Sequence, residues 1–90
     1  MTKDDLIRRV AAKSGVETSA VRVVVEATME TIMEFLASGE TLFLRGFGTF
    51  LPKTRKAKKA RNISKNTEVF VPAQRVPHFK PSQYFKNRLK

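Results

Sequence analysis

Apolar positions in the first forty residues recur at helical spacing. Leu6, Ile7, Val10 and Ala11 share one face of a helix predicted over residues 3–13, and Lys3, Arg8, Arg9 and Lys13 stay off that face. Thr2 offers a capping oxygen, Asp5 reaches back to complete a capping box, and Gly15 follows the helix end. A second helix is predicted from about residue 18 to 37, with Thr18 as cap, Glu17 and Ser19 as competitors, and Gly39 closing it. Val21, Val25, Thr28, Ile32 and Phe35 recur at alternating four- and three-residue steps, and Val24, Met29 and Leu36 widen the stripe. That stripe is broader than the first helix covers, which predicts a partner subunit.

From Glu40 the period shortens. Thr41-Leu42-Phe43-Leu44-Arg45 predicts a strand, Gly46-Phe47-Gly48 a tight connection and Thr49-Phe50-Leu51 the next strand, with Pro52 marking an edge or a departure from the sheet. Asn62, Ser64 and Asn66 are turn formers, and Val69-Phe70-Val71 resumes strand character. The result is a hairpin arm over about residues 53–75, reaching roughly 30 Å at about 3.3 Å per residue. Nothing in residues 53–68 builds a core, so the arm projects into solvent or lies on a partner. Val76-Pro77-His78-Phe79-Lys80 reads as a returning strand. Ser82 then caps a last helix that turns Phe85 and Leu89 inward and carries Lys86, Arg88 and Lys90 near its C-terminus. The fold class is α+β in a single domain: helices over 1–39, a short antiparallel sheet with its extended β-hairpin arm over 40–81, and a C-terminal helix over 82–90.

Size sharpens the expectation of a dimer. A chain of 90 residues buries only about 60–65% of the surface its unfolded form exposes. Yet 41% of the residues are hydrophobic and seven are Phe, too many for a disordered basic tail and enough for a second copy to complete the core. The absence of cysteine excludes disulfides and thiolate metal sites. With no apolar stretch of signal-peptide or membrane-span length, a soluble intracellular protein is expected.

Charge then points to a ligand. Residues 1–40 carry five Lys/Arg against seven Asp/Glu, whereas residues 41–90 carry thirteen against one, Glu68. Within Lys53–Lys65 there are seven cations and no carboxylate. Solvated charged faces normally mix signs, and an unmixed block usually serves interaction with a polyanion. Its Lys and Arg would neutralise phosphates and release counterions, with steep salt dependence and little sequence readout. Ile63 sits at the turn tip between Asn62 and Ser64. Residue type alone leaves two readings of it open, an incidental exposed aliphatic or a wedge that unstacks one base step. The lone His78 has no Cys nearby and only Glu68 as an acid in its half, so metal binding and acid–base catalysis have no support, and the seven N-terminal acids form no evident catalytic pair. Gly46-Phe47-Gly48 is too short to cradle a phosphate.

The helix pair ending Ala37-Ser38-Gly39-Glu40, then Gly46-Phe47-Gly48-Thr49-Phe50, Arg61-Asn62 and Val76-Pro77-His78-Phe79-Lys80-Pro81 occur in one order and spacing. On these motifs the chain resembles the bacterial histone-like HU and integration host factor family over its full length. The resemblance implies an intertwined dimer with an α-helical base, whose two arms wrap double-stranded DNA through the minor groove. It places Arg61, Asn62 and Ile63 in that groove, with Ile63 as the intercalating wedge where the family has proline. Asn66 and Ser82 stand where family members usually have glycine; asparagine tolerates the left-handed conformation. Lys53, Arg55, Lys56, Lys58, Lys59 and Lys65 would line the arm, with Arg75 on its other strand. Lys3, Lys80 and Lys86 would meet phosphates at the flanks of the base. Arg45 is ambiguous, because Glu40 on the same strand offers it a structural partner. Phe47, Phe50 and Phe79 match the family's aromatic dimer core.

The expectation is therefore a homodimeric nucleoid protein of the bacterial cytoplasm. It binds duplex DNA with little sequence preference and bends and compacts it, without cofactor, metal, membrane or small-molecule substrate, and it is not an enzyme. A heterodimer with a related chain is compatible with the same reading. Competing readings are a site-preferring factor like integration host factor, an RNA-binding or ribosome-associated basic protein, and a protein for acidic partners or anionic membranes. The aromatic-free segment Lys53–Lys65 argues against base stacking on single-stranded RNA.

Overall fold

Caps and ion pairs fix the first helix where the sequence places it. The computed structural model describes residues 1–56, 58–62 and 67–90, with 58–62 and 67–71 described by their backbone alone. The chain order is α1 (Lys3–Ser14), α2 (Thr18–Ala37), β1 (Leu42–Leu44), β2 (Gly48–Arg55), β3 (Lys58–Asn62), β4 (Thr67–Val71), β5 (Gln74–Pro81) and α3 (Gln83–Asn87). Two compact units result, Met1–Glu34 and Phe35–Lys90.

In the first unit Thr2 N–H donates to Asp5 Oδ2 at 2.9 Å and Asp5 N–H donates to Thr2 Oγ1 at 3.3 Å, so two orphan amides of the helix start are satisfied reciprocally. Gly15 ends the helix at φ 74°, a left-handed position that strains any residue with a Cβ, and donates to Ala11 O at 3.0 Å. Ile7 is fully buried with Ala11 and Val21, and Val10 and Val25 pack against them. Leu6, expected on this face, is 52% exposed in the single chain. The expected cap of α2 also moves by one residue: Val21 N–H bonds Glu17 O at 3.0 Å, so Glu17 holds the cap position and Thr18 is the first helical residue. Arg22 Nη1 lies 2.7 Å from Asp4 Oδ1, Lys3 Nζ 3.1 Å from Glu26 Oε1, and Arg8 Nη1 3.7 Å from Asp5 Oδ1. The first two pairs tie α1 to α2 across their polar surface.

In the second unit β1, β2 and β5 form an antiparallel sheet in the order β1-β2-β5, with Leu42 opposite Phe50 and Phe50 opposite Phe79. Proline explains much of the register. Pro52 faces Pro77 and Gly48 faces Pro81, so all three prolines fall on the alternate pairs whose N–H groups turn away from the partner strand. Pro52 thus lies inside β2, just past the last pairing with β1, where its missing donor leaves no bond unmade. β3 and β4 pair from Lys58↔Val71 to Asn62↔Thr67, in the same register as β2 and β5. Between the two ladders stands Pro72, on the opposite parity, where a donor is needed and absent. Among the described residues, the two ladders therefore keep one register.

The base of the β2–β5 ladder carries four packed rings. Phe50 and Phe79 have centroids 4.7 Å apart, Phe47 and Phe79 5.2 Å, and Phe47 and Phe85 5.3 Å. Gly48 makes this possible: a Cβ there would lie 2.6 Å from Phe79 ring carbons and 2.7 Å from the Lys80 carbonyl oxygen. Ser82 caps α3 by accepting from Phe85 N–H at 3.1 Å, and its own N–H donates to Phe47 O at 2.9 Å. The last helix is shorter than the 82–90 expected. It stops at Asn87 with Arg88 as its C-cap, and Leu89, expected to face inward, is 79% exposed. Among the described residues only Ile7, Ala11, Val21 and Leu36 are buried hydrophobics in the single chain, while Val23, Val24 and Met33 lie open on α2.

Arg22 holds the Asp4 carboxyl below its ordinary value, first through the hydrogen bond and then through its charge. A depressed carboxylate stabilises the fold above the unfolded pKa of about 3.9, and that contribution fades as pH falls through the folded value. Asp4→Asn should therefore melt slightly lower than wild type at pH 7, with the gap closing below about pH 4 in a thermal series. Gly48→Ala should lose about 1–3 kcal/mol by overpacking against Phe79, read from denaturant midpoints at fixed protein concentration.

Candidate nucleic-acid interface

Strand pairing distributes the expected site residues between two faces. In-register partners point to the same side of a sheet, and successive residues alternate. Thr49 pairs with both Phe43 and Lys80, and Lys53 pairs with Val76, so Phe43, Lys53, Arg55 and Lys80 share the face opposite the rings of Phe50 and Phe79. Lys53, Arg55, Lys56 and Lys80 are exposed. Backbone pairing carries Lys58, Lys59, Arg61 and Asn62 outward along β3. Ile63 and Lys65, with Ser64 and Asn66, lie outside the described residues.

Arg75 is placed otherwise. It pairs with Thr54, on the ring-bearing face, and its Nη2 donates to Ala37 O at 2.9 Å. The C-terminus of α2 has no cation of its own in the last turn. Its terminal carbonyls are met by Glu40 N–H on Phe35 O at 2.9 Å, Gly39 N–H on Leu36 O at 3.1 Å, and the Arg75 guanidinium on Ala37 O. Arg75 thus supplies the positive charge that a helix end favours, from a strand far along the sequence.

Lys3 opens α1, and its ammonium is engaged by Glu26. Lys86 stands exposed in the last turn of α3. The three expected core rings, Phe47, Phe50 and Phe79, pack together, and Phe85 joins them as a fourth. Phe47 is 45% exposed even so, leaving the cluster open on one side. Phe43 was missed as a candidate. Flanked by Leu42 and Leu44, it shows no alternation from which its face could be read, and only the pairing with Thr49 reveals it.

A family model described as "Bacterial DNA-binding protein" matches residues 1–90. The chain belongs to that family, the one that includes HU and integration host factor. DNA-binding protein HU of Thermotoga maritima is 38% identical over 90 residues, covering 100% of both chains. Integration host factor subunit alpha of an Anaeromyxobacter species is 38% identical over 89 residues, covering 99% of this chain and 90% of the relative. A solved Anabaena HU–DNA cocrystal structure superposes with a TM-score of 0.93 at 37% identity, covering 99% of this chain and 97% of that one. The family is one of DNA-binding proteins, not of enzymes. No helix among the described residues is long and apolar enough to cross a membrane.

In this bacterial DNA-binding protein, then, Arg75 ties the root of the ribbon to the end of α2. Arg75→Ala should reduce stability by about 1 kcal/mol, the scale of one charge-assisted bond at an exposed site, and Arg75→Lys should recover part of it in the same denaturant titration.

Proposed function

We propose that the chain works as a homodimeric architectural protein that binds duplex DNA with little sequence preference and bends it. The observation that carries this reading is the acid-free cation block threaded on one in-register ribbon, from Lys53 in β2 to Asn62 in β3. A two-stranded ribbon fits a DNA groove, and cations along it neutralise phosphates on both sides. Arg61, Asn62 and Ile63 would enter the minor groove at the tip, with Ile63 as the wedge, and Lys65 would follow on the return. Lys53, Arg55, Lys56, Lys58 and Lys59 would track the phosphates, and Lys3, Lys80 and Lys86 would hold the flanks. Arg75 belongs to this set through the arm it anchors. Residues 1–39 would form the dimerising base and 82–90 its closing segment.

Pairing of two chains is supported by what one chain leaves uncovered: Val23, Val24 and Met33 on α2, and the open side of Phe47. Phe47, Phe50 and Phe79 would then sit in the shared core. Such a protein would reside on the nucleoid, in the cytoplasm. HU-like behaviour is favoured over the site-preferring alternative, because the structure on which the chain superposes with a TM-score of 0.93 is an HU–DNA complex.

Smooth bending of a short site costs on the order of 1–6 kcal/mol, which the arm contacts must exceed. The test is a fluorescence-transfer bend assay beside a salt series on duplex DNA and matched duplex RNA. Ile63→Ala should lower the bend angle while changing affinity only a few-fold; an unaltered angle would remove the wedge role. Equal affinity for the matched RNA would favour the RNA-binding reading.

A further inference from the structure

We infer that Phe43 extends the DNA interface onto the sheet, packing against deoxyribose of the duplex flank while Lys80 beside it holds a phosphate. This rests on the reading above and adds to it an apolar contact where only cations were expected. Phe43 is 76% exposed, although removing a Phe side chain from water is favourable. It lies in one cross-strand row with Thr49 and Lys80. The row borders a shallow hollow of about 350 Å³ lined also by Leu44, Arg45, Gly46 and Gly48.

Two properties select the occupant. The hollow is rimmed by cations, and no salt bridge among the described residues involves Arg45, Lys53 or Lys80. A second copy of this face would bring like charges together, and the rings that invite self-association lie on the other side of the sheet. A surface offering phosphate anions with apolar C–H walls between them matches both rim and ring, and the sugar–phosphate backbone is such a surface. An intact duplex keeps its bases stacked, so a ring standing on a sheet meets sugars first. Phe43 has no donor or acceptor, and the contact therefore carries no base readout and suits binding without sequence preference.

The experiment compares wild type, Phe43→Ser, Phe43→Gln and Lys80→Ala on two duplexes, one short enough for the arms alone and one with long flanks, each over a salt series. Both Phe43 variants should lose affinity several-fold on the long duplex and little on the short one. Their slope of log affinity against log salt should stay at the wild-type value, because an apolar contact releases no counterions. Lys80→Ala should instead flatten that slope by about 1. If both Phe43 variants match wild type on the long duplex, or lose as much on the short one, the inference is wrong while the DNA-bending function stands. A shift of either variant from dimer to monomer in sedimentation would assign the face to a subunit contact and equally overturn it. Failure of the wild-type protein to bind either duplex would instead defeat the proposed function itself.

Discussion

The Phe50↔Phe79 pair decides where every other side chain of the sheet goes. A strand's side-chain period is two, so slipping this register by one residue would send the rings into solvent and Lys53 and Lys80 into the core. Several constraints hold it. Gly48 leaves room for the Phe79 ring, Phe47 and Phe85 close around it, and the prolines at 52, 77 and 81 fit only the pairs that need no donor. The same register then runs out to Asn62↔Thr67. Aromatic packing at the root of the ribbon thereby sets the phase of its backbone far beyond the Phe50–Phe79 pair.

How much of this was legible depended on whether the signal was local. The capping box of Thr2 and Asp5, the left-handed glycines at 15 and 39, and the Ser82 cap act within three or four residues, and composition reveals them directly. Even there the start of α2 was ambiguous by one residue, since Glu17, Thr18 and Ser19 all offer capping oxygens. Leu89 misled because helical spacing continues on paper past Asn87, where the backbone stops being helical. The less legible features were pairings. That Arg75 faces α2 and not the cationic side follows from its pairing with Thr54, and its hydrogen bond spans 38 residues of sequence. Phe43 was hidden for the same reason: three apolar residues in a row carry no phase until a neighbouring strand supplies one. The candidates at the tip, Ile63 and Lys65, were legible only as chemistry, an apolar residue set among cations.

Separation of charge from core explains why the two ends of the chain differ so sharply. Residues 1–40 balance five cations against seven acids, and Asp4, Asp5 and Glu26 each engage a cation among them. Such pairs are each worth little in water, yet together they keep the helical surface nearly neutral. Residues 41–90 carry one acid, Glu68, for thirteen cations, so the ribbon has almost no internal compensation. Backbone hydrogen bonds hold it, and they are indifferent to charge. An arm of this kind is electrostatically strained when alone and relieved when a polyanion lies along it, so association gains from relief of self-repulsion as well as from new contacts.

A ribbon anchored only by its strands would swing, and the ordering of a swinging arm opposes binding at the moment of contact. Here the root is held twice, by the ring cluster on the inner face and by the Arg75 guanidinium on the last carbonyl of α2. Pro72 interrupts the ladder farther out, beyond both anchors. Both anchors lie on the root side of Pro72, so the pairing of β2 with β5 is the part of the ribbon they support. On the proposed dimer, two such roots would set the angle between the arms, and that angle, not the strength of any one phosphate contact, would determine how sharply the duplex between them is held.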